Sequence, residues 1–172
     1  KDRSVNNKYE ETLMRRVVVT GIGIVSSIGT GQDEVATSLK EARSGIQHAA
    51  DHAKYGFRSQ VWAPPALGAT AEDWAPLVDR RAARFLANGT AWAHIAFEEA
   101  LKDSGIDAED IKNDRTGVII GEGGPSTQVI LQSAQTTVEK GSPKRVGPFA
   151  VPKAMASGPS AVLSTWFQTR GI

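Results

Sequence analysis

The run Val17-Val18-Val19-Thr20 passes straight into Gly21-Ile22-Gly23, and this junction constrains the fold more than any other feature of the chain. An unbroken β-branched stretch has no polar side, so it reads as a strand covered on both faces, the habit of α/β layers. A glycine-rich turn follows, then a short amphipathic helix over 33–42. There Val35, Leu39 and Ala42 share a stripe, and Ser44-Gly45 marks the stop. The pattern recurs at Thr116-Gly117-Val118-Ile119-Ile120-Gly121, a second buried strand, followed by Glu122-Gly123-Gly124-Pro125 and a helix over 126–139. Strand, glycine turn and helix, used twice, predict an α/β fold.

Between these units, residues 46–78 are rich in Ala, Pro, Gly and polar side chains and include Pro64-Pro65. They read as a long surface excursion, of the kind that carries substrate or partner contacts. The spacing of Leu86, Ala93, Phe97 and Ala100-Leu101 predicts one continuous helix over 79–104, with Asp79 as N-cap and Gly105 as the stop. The final segment opens with the small residues Ala154 to Ala161, interrupted by Met155 and Pro159. A proline is tolerated in the first helical turn, which makes Ser157 the N-cap of a last helix, and small side chains there let two backbones approach closely. Ile172 then reads as the lead into another strand.

Composition closes several routes. With 20 Lys+Arg against 19 Asp+Glu there is no global pull toward nucleic acid or an acidic membrane, so an anionic partner must meet a local basic patch. No stretch reaches the ~18–20 apolar residues of a membrane span, and residues 1–13 are too polar for a secretory signal. The reading is therefore cytoplasmic, with 1–13 a polar extension ahead of a domain over 14–172. Zero cysteines remove disulfides, thiolate metal sites and a thiol nucleophile. Of three histidines, His48 and His52 stand four apart, but no third ligand follows at a useful spacing. A solvated surface is their reading, and no metal or other cofactor is expected.

Gly21 and Gly23 match two positions of the dinucleotide-binding loop G-x-G-x-x-G, but Ser26 stands at the third. No strand ending in an acidic residue follows at about 20 residues to hold a ribose. A tight structural turn is the stronger reading, and a nucleotide-dependent oxidoreductase the weaker.

The string from Arg15 to Gly29 (RRVVVTGIGIVSSIG) resembles the opening of the condensing enzymes of the thiolase superfamily. The same order continues through Ser44-Gly45-Ile46, Asp79-Arg80-Arg81-Ala82-Ala83-Arg84-Phe85, Gly117 to Gly121 with Gly123-Gly124, and Val146-Gly147-Pro148-Phe149. With Lys153-Ala154-Met155-Ala156-Ser157-Gly158 the resemblance is to the β-ketoacyl-acyl-carrier-protein synthases, type I rather than type II. Pro125 and Pro159 depart from the pattern.

That resemblance implies a layered αβαβα fold of the thiolase type, of which this is the N-terminal half. It implies a transferase of fatty-acid synthesis that joins an acyl thioester to a carbanion released by decarboxylation of malonyl-acyl-carrier protein. The family's cysteine would follow the strand beginning at Ile172, about 5–10 residues on, so no catalytic residue is assigned within the chain and the segment alone is expected to be inactive. Met155 resembles the residue that crosses a homodimer interface to line the partner's acyl tunnel, a role suited to a flexible thioether; a plain core methionine is the alternative. Gly124 would lie beside the acyl pocket, where missing bulk leaves room, although an ordinary loop glycine explains it too. Arg80, Arg81 and Arg84, with Lys144 and Arg145, would dock the acidic carrier protein. Cations at a helix N-terminus oppose the dipole, which argues for a partner over a merely solvated face. A catalytically inactive chain-length or scaffold partner of a condensing enzyme is the competing function.

Overall fold

The computed structural model describes residues 16–171. The expectation of a polar extension over 1–13, and that of a strand starting at Ile172, lie outside the described residues.

Two-residue strands β1 (Val25–Ser26) and β2 (Gly29–Thr30) pair antiparallel around a tight turn. Helix α1 (Gln32–Lys40) follows, burying Val35 and Ser38, while Leu39 faces water. The excursion over 46–78 is largely irregular, but it forms a second small ladder between β3 (Gln47–His48) and β4 (Val61–Trp62). It also carries α2 (Ala50–Lys54) and α3 (Ala71–Trp74). The expected single helix over 79–104 is two, α4 (Arg80–Ala83) and α5 (Asn88–Ser104). Then come α6 (Thr127–Lys140), α7 (Ala150–Ala154) and α8 (Gly158–Phe167).

The break between α4 and α5 goes with a long-range anchor at the start of α5. The Asn88 side chain accepts a hydrogen bond from the Trp74 indole at 2.9 Å and donates one to the Ala69 carbonyl at 2.7 Å, so it ties the excursion to the start of α5. Leu86, in the link, turns inward and is 1% exposed. The caps stand where expected: the Asp79 carboxylate accepts from the Arg81 N–H, Gly105 ends α5 at φ 67°, and Ser157 precedes α8 with Pro159 in its first turn.

Two linked clusters make the core. Trp74, Ala82, Leu86 and Ala91 form one, and Ile111, Leu163 and Phe167 the other, with Trp166 packed against both. Phe97 of α5 stacks on Phe167 of α8 at 4.3 Å between ring centroids.

The two expected strands are corrected. Residues 16–20 form no ladder among the described residues and all five are exposed, Val17 by 90%. Residues 116–121 likewise form no ladder: Val118 and Ile120 pack on the second cluster, while Ile119 is 95% exposed. A β-branched run favours extended backbone, but its N–H and C=O rows become a strand only beside another segment. Gly171 donates its N–H to the Thr116 carbonyl at 2.9 Å, but among the described residues no segment forms a ladder with either run. Nor does any helix among the described residues have the length and apolar content to cross a membrane.

What holds residues 21–32 is α5. Glu99 accepts from the backbone N–H of Ile24 and of Gln32, both at 2.8 Å, and Asp103 accepts from that of Ile22 at 3.0 Å. This N–H bond, joined by one from the Gln32 side chain, holds the Asp103 carboxyl below the usual carboxylate range. A lowered carboxyl lends stability that is present above its ordinary pKa and lost as pH falls through the lowered one. Glu99→Ala leaves two N–H groups without their charged acceptor and is expected to cost about 2 kcal/mol. Urea unfolding followed by circular dichroism checks this; an unchanged midpoint would show the carboxylate to be ornamental.

Candidate substrate cleft and docking face

The glycines of the family-like motifs are explained by close backbone approach. A methyl group built on Gly21 would overlap the carbonyl oxygen of Ala100, and one on Gly23 that of Ala96, so residues 21–23 lie flat on α5. Gly45 is pressed in the same way on the Ser27 carbonyl, and a Cβ on Gly158 would stand 2.5 Å from the Pro152 oxygen. A phosphate-cradling loop needs free N–H groups at a helix start. Here the N–H groups of Ile22 and Ile24 are taken by Asp103 and Glu99, and the nucleotide reading falls.

Arg80, Arg81 and Arg84 are all exposed, on α4 and its C-cap. Their setting is a single-turn helix: α4 spans four residues, with Asp79 as its N-cap, Arg80 at its first position and Arg84 at its C-cap, so the cations nearest its start sit beside the capping carboxylate. Hydrogen bonding from the Arg81 N–H holds the Asp79 carboxyl below its ordinary range. Lys144 and Arg145 lie exposed on the short 3₁₀ turn Pro143–Arg145. The two basic clusters are tied by an aromatic pair, Phe85 directly after Arg84 and Phe149 four residues after Arg145, edge to face at 5.1 Å.

Beside α4 lies a cleft of about 630 Å³, walled by Arg81 and Phe85 on one side and by Pro152, Val162, Trp166 and Gln168 of α7 and α8 on the other. It was not legible in advance, because its walls come from segments some 80 residues apart. Two smaller cavities, about 350 and 360 Å³, flank the contact of α6 with α7; Val129, Gln132 and Lys153 line both. Burial alone pushes the Lys153 amine below the ordinary lysine value. It belongs to the same motif as Met155.

Met155 is the C-cap of α7 and is 37% exposed. Gly124 is exposed, with nothing within 4 Å of a built Cβ. Neither residue is on the walls of the three cavities above.

The histidines divide clearly. His48 lies on β3 and His52 on α2, so they share no helix face, and His52 packs on Phe57 at 5.2 Å. His94 is fully buried on α5 between Trp166 and Phe167, with Nε2 3.1 Å from Glu98 Oε1. Among the described residues, no group of three or more His, Cys, Asp or Glu side chains is placed to hold a metal ion.

The sequence and the fold can both be set beside known proteins. A family model described as the N-terminal domain of β-ketoacyl synthases matches residues 14–172. The chain is 41% identical over 160 residues to 3-oxoacyl-[acyl-carrier-protein] synthase 1 of Escherichia coli K12, covering 92% of this chain and 38% of that protein. Its identity to synthase 2 of Vibrio cholerae is 32% over 158 residues, covering 91% and 37%. The crystal structure of a β-ketoacyl synthase from Burkholderia phymatum superposes with a TM-score of 0.74 at 29% identity, over 92% of this chain and 38% of that one. The chain belongs to the β-ketoacyl synthase family and has its thiolase-type fold. It spans somewhat over a third of the length of these relatives.

Proposed function

We propose that the chain serves in a 3-oxoacyl-acyl-carrier-protein synthase, an acyltransferase that condenses an acyl thioester with malonyl-acyl-carrier protein. The 41% identity to the Escherichia coli synthase 1 carries this reading. In that reaction the acyl group passes to a cysteine thiolate, decarboxylation of the malonyl group leaves a carbanion, and the new carbon–carbon bond expels the thiolate. No cysteine is present in these 172 residues, so the chain's own part is docking and shaping. The domain over 14–172 is read as that enzyme's N-terminal half.

The docking face is Arg80, Arg81 and Arg84 with Lys144, joined through Phe85 and Phe149. Exposed cations of this kind steer an acidic partner and set its register. Met155, held outward at the end of α7, would reach a partner protomer's acyl tunnel in a homodimer, and Gly124 would leave space beside the chain's own pocket.

Titrating the chain with acyl-carrier protein at low salt tests the docking face. Binding should weaken as salt rises. The double reversal R80E/R84E should lower affinity about tenfold, near 1.4 kcal/mol, and flatten the salt dependence. Equal affinity in the variant would reduce the arginines to a solvated face.

A further inference from the structure

We propose that Lys153 is an acylation site, its ε-amine taking an acyl group from a thioester to give a stable amide. Lys153 lines two neighbouring cavities along α6 and α7, of about 350 and 360 Å³, and stands between them with Val129 and Gln132. On one side are Phe149 and Ser133, on the other Trp74 and Asn88, so an apolar chain and a polar carbonyl both find suitable surface. The side chain is half-buried, and among the described residues no carboxylate lies within salt-bridge reach of it. Lys112, by contrast, is paired with Glu109, and Lys140 and Lys144 stand in open water.

Desolvation without a counter-charge disfavours the ammonium form, which is why the Lys153 amine is lowered and its neutral, nucleophilic fraction enlarged. The chemistry balances without a further reagent. The amine lone pair attacks the thioester carbonyl carbon, a carbon–nitrogen bond forms, the carbon–sulfur bond breaks, and the thiolate leaves with its electron pair. The amine's surplus proton passes to that thiolate or to water. The identity of the acyl donor rests on the condensing-enzyme reading; the reactivity of the amine does not.

The test uses a small donor, the acetyl thioester of N-acetylcysteamine, in limiting amount at mildly alkaline pH, with the modified lysines located by peptide mass spectrometry. Acetyl-Lys153 should accumulate about fivefold or more faster than acetyl-Lys140 or acetyl-Lys144. It should survive neutral hydroxylamine, as an amide does, and K153R should remove this fastest mark while leaving the others and the circular dichroism unchanged. Labelling of Lys153 no faster than of Lys144 would overturn the proposal. If Lys153 labels first but the chain fails to bind acyl-carrier protein, the docking reading fails and this one stands.

Discussion

Replacing Gly23 by alanine is expected to destabilise the chain by about 3 kcal/mol, the upper range for overpacking. The added methyl group has no free volume: it would overlap the Ala96 carbonyl and come within 2.8 Å of the Ala100 N–H nitrogen, both in the backbone of α5. A side chain can swing away from such a contact, but a helix backbone cannot without breaking its own hydrogen bonds. Retreat of the segment would also pull Ile24 off Glu99 and Ile22 off Asp103. Gly89→Ala is the control. Gly89 lies within α5, exposed, with nothing within 4 Å of a built Cβ. There alanine should stabilise by about 0.5–1 kcal/mol through helix propensity. Urea midpoints of the two variants should therefore move in opposite directions; a parallel shift would mean that residues 21–23 do not rest on the helix.

The second large effect concerns apolar surface. Among the described residues, 20 large hydrophobic side chains are exposed, against ten buried hydrophobic residues. Val17, Val19 and Ile119 are 90%, 83% and 95% exposed, and they sit on the two β-branched segments that form no ladder among the described residues. Such segments offer both greasy side chains and open hydrogen-bonding rows, the combination that drives association. The 172-residue chain, by itself, is expected to enhance the fluorescence of an apolar dye about tenfold over a well-packed control and to self-associate with rising concentration. Placing lysine at Val19 and at Ile119 should reduce both signals without loss of helix. A chain that sediments as a monodisperse monomer and leaves the dye dark would contradict this account.

Local chemistry was legible in the sequence to the extent that it acts locally. Asp79, Gly105, Ser126 and Ser157 mark helix ends because a cap depends on a few neighbouring residues. The break at residues 84–87 was not, since it depends on Asn88 binding Trp74 and Ala69 across 14 and 19 positions. The strands at 16–20 and 116–121 were read correctly as apolar and β-branched but wrongly as paired, because pairing belongs to two segments and a sequence pattern describes one. Gly21 and Gly23 were recognised as a tight structural turn; that α5 is what they press against came only from the fold. Of the candidate site, the basic residues and Met155 could be named from their motifs. The two cavities beside Lys153 arise from α3, α6 and α7 together and left no trace in spacing.

Glu99 has a consequence for the order of events during synthesis. The two N–H groups it captures lie 75 and 67 positions earlier in the chain, so the β1–β2 hairpin leaves the ribosome long before the carboxylate that secures it exists. At about 5–20 residues per second, that interval is roughly 4–15 seconds. Through it the glycine-rich segment must remain unanchored beside the exposed valines that precede it, and a stretch made before α5 is fixed only after α5 has emerged.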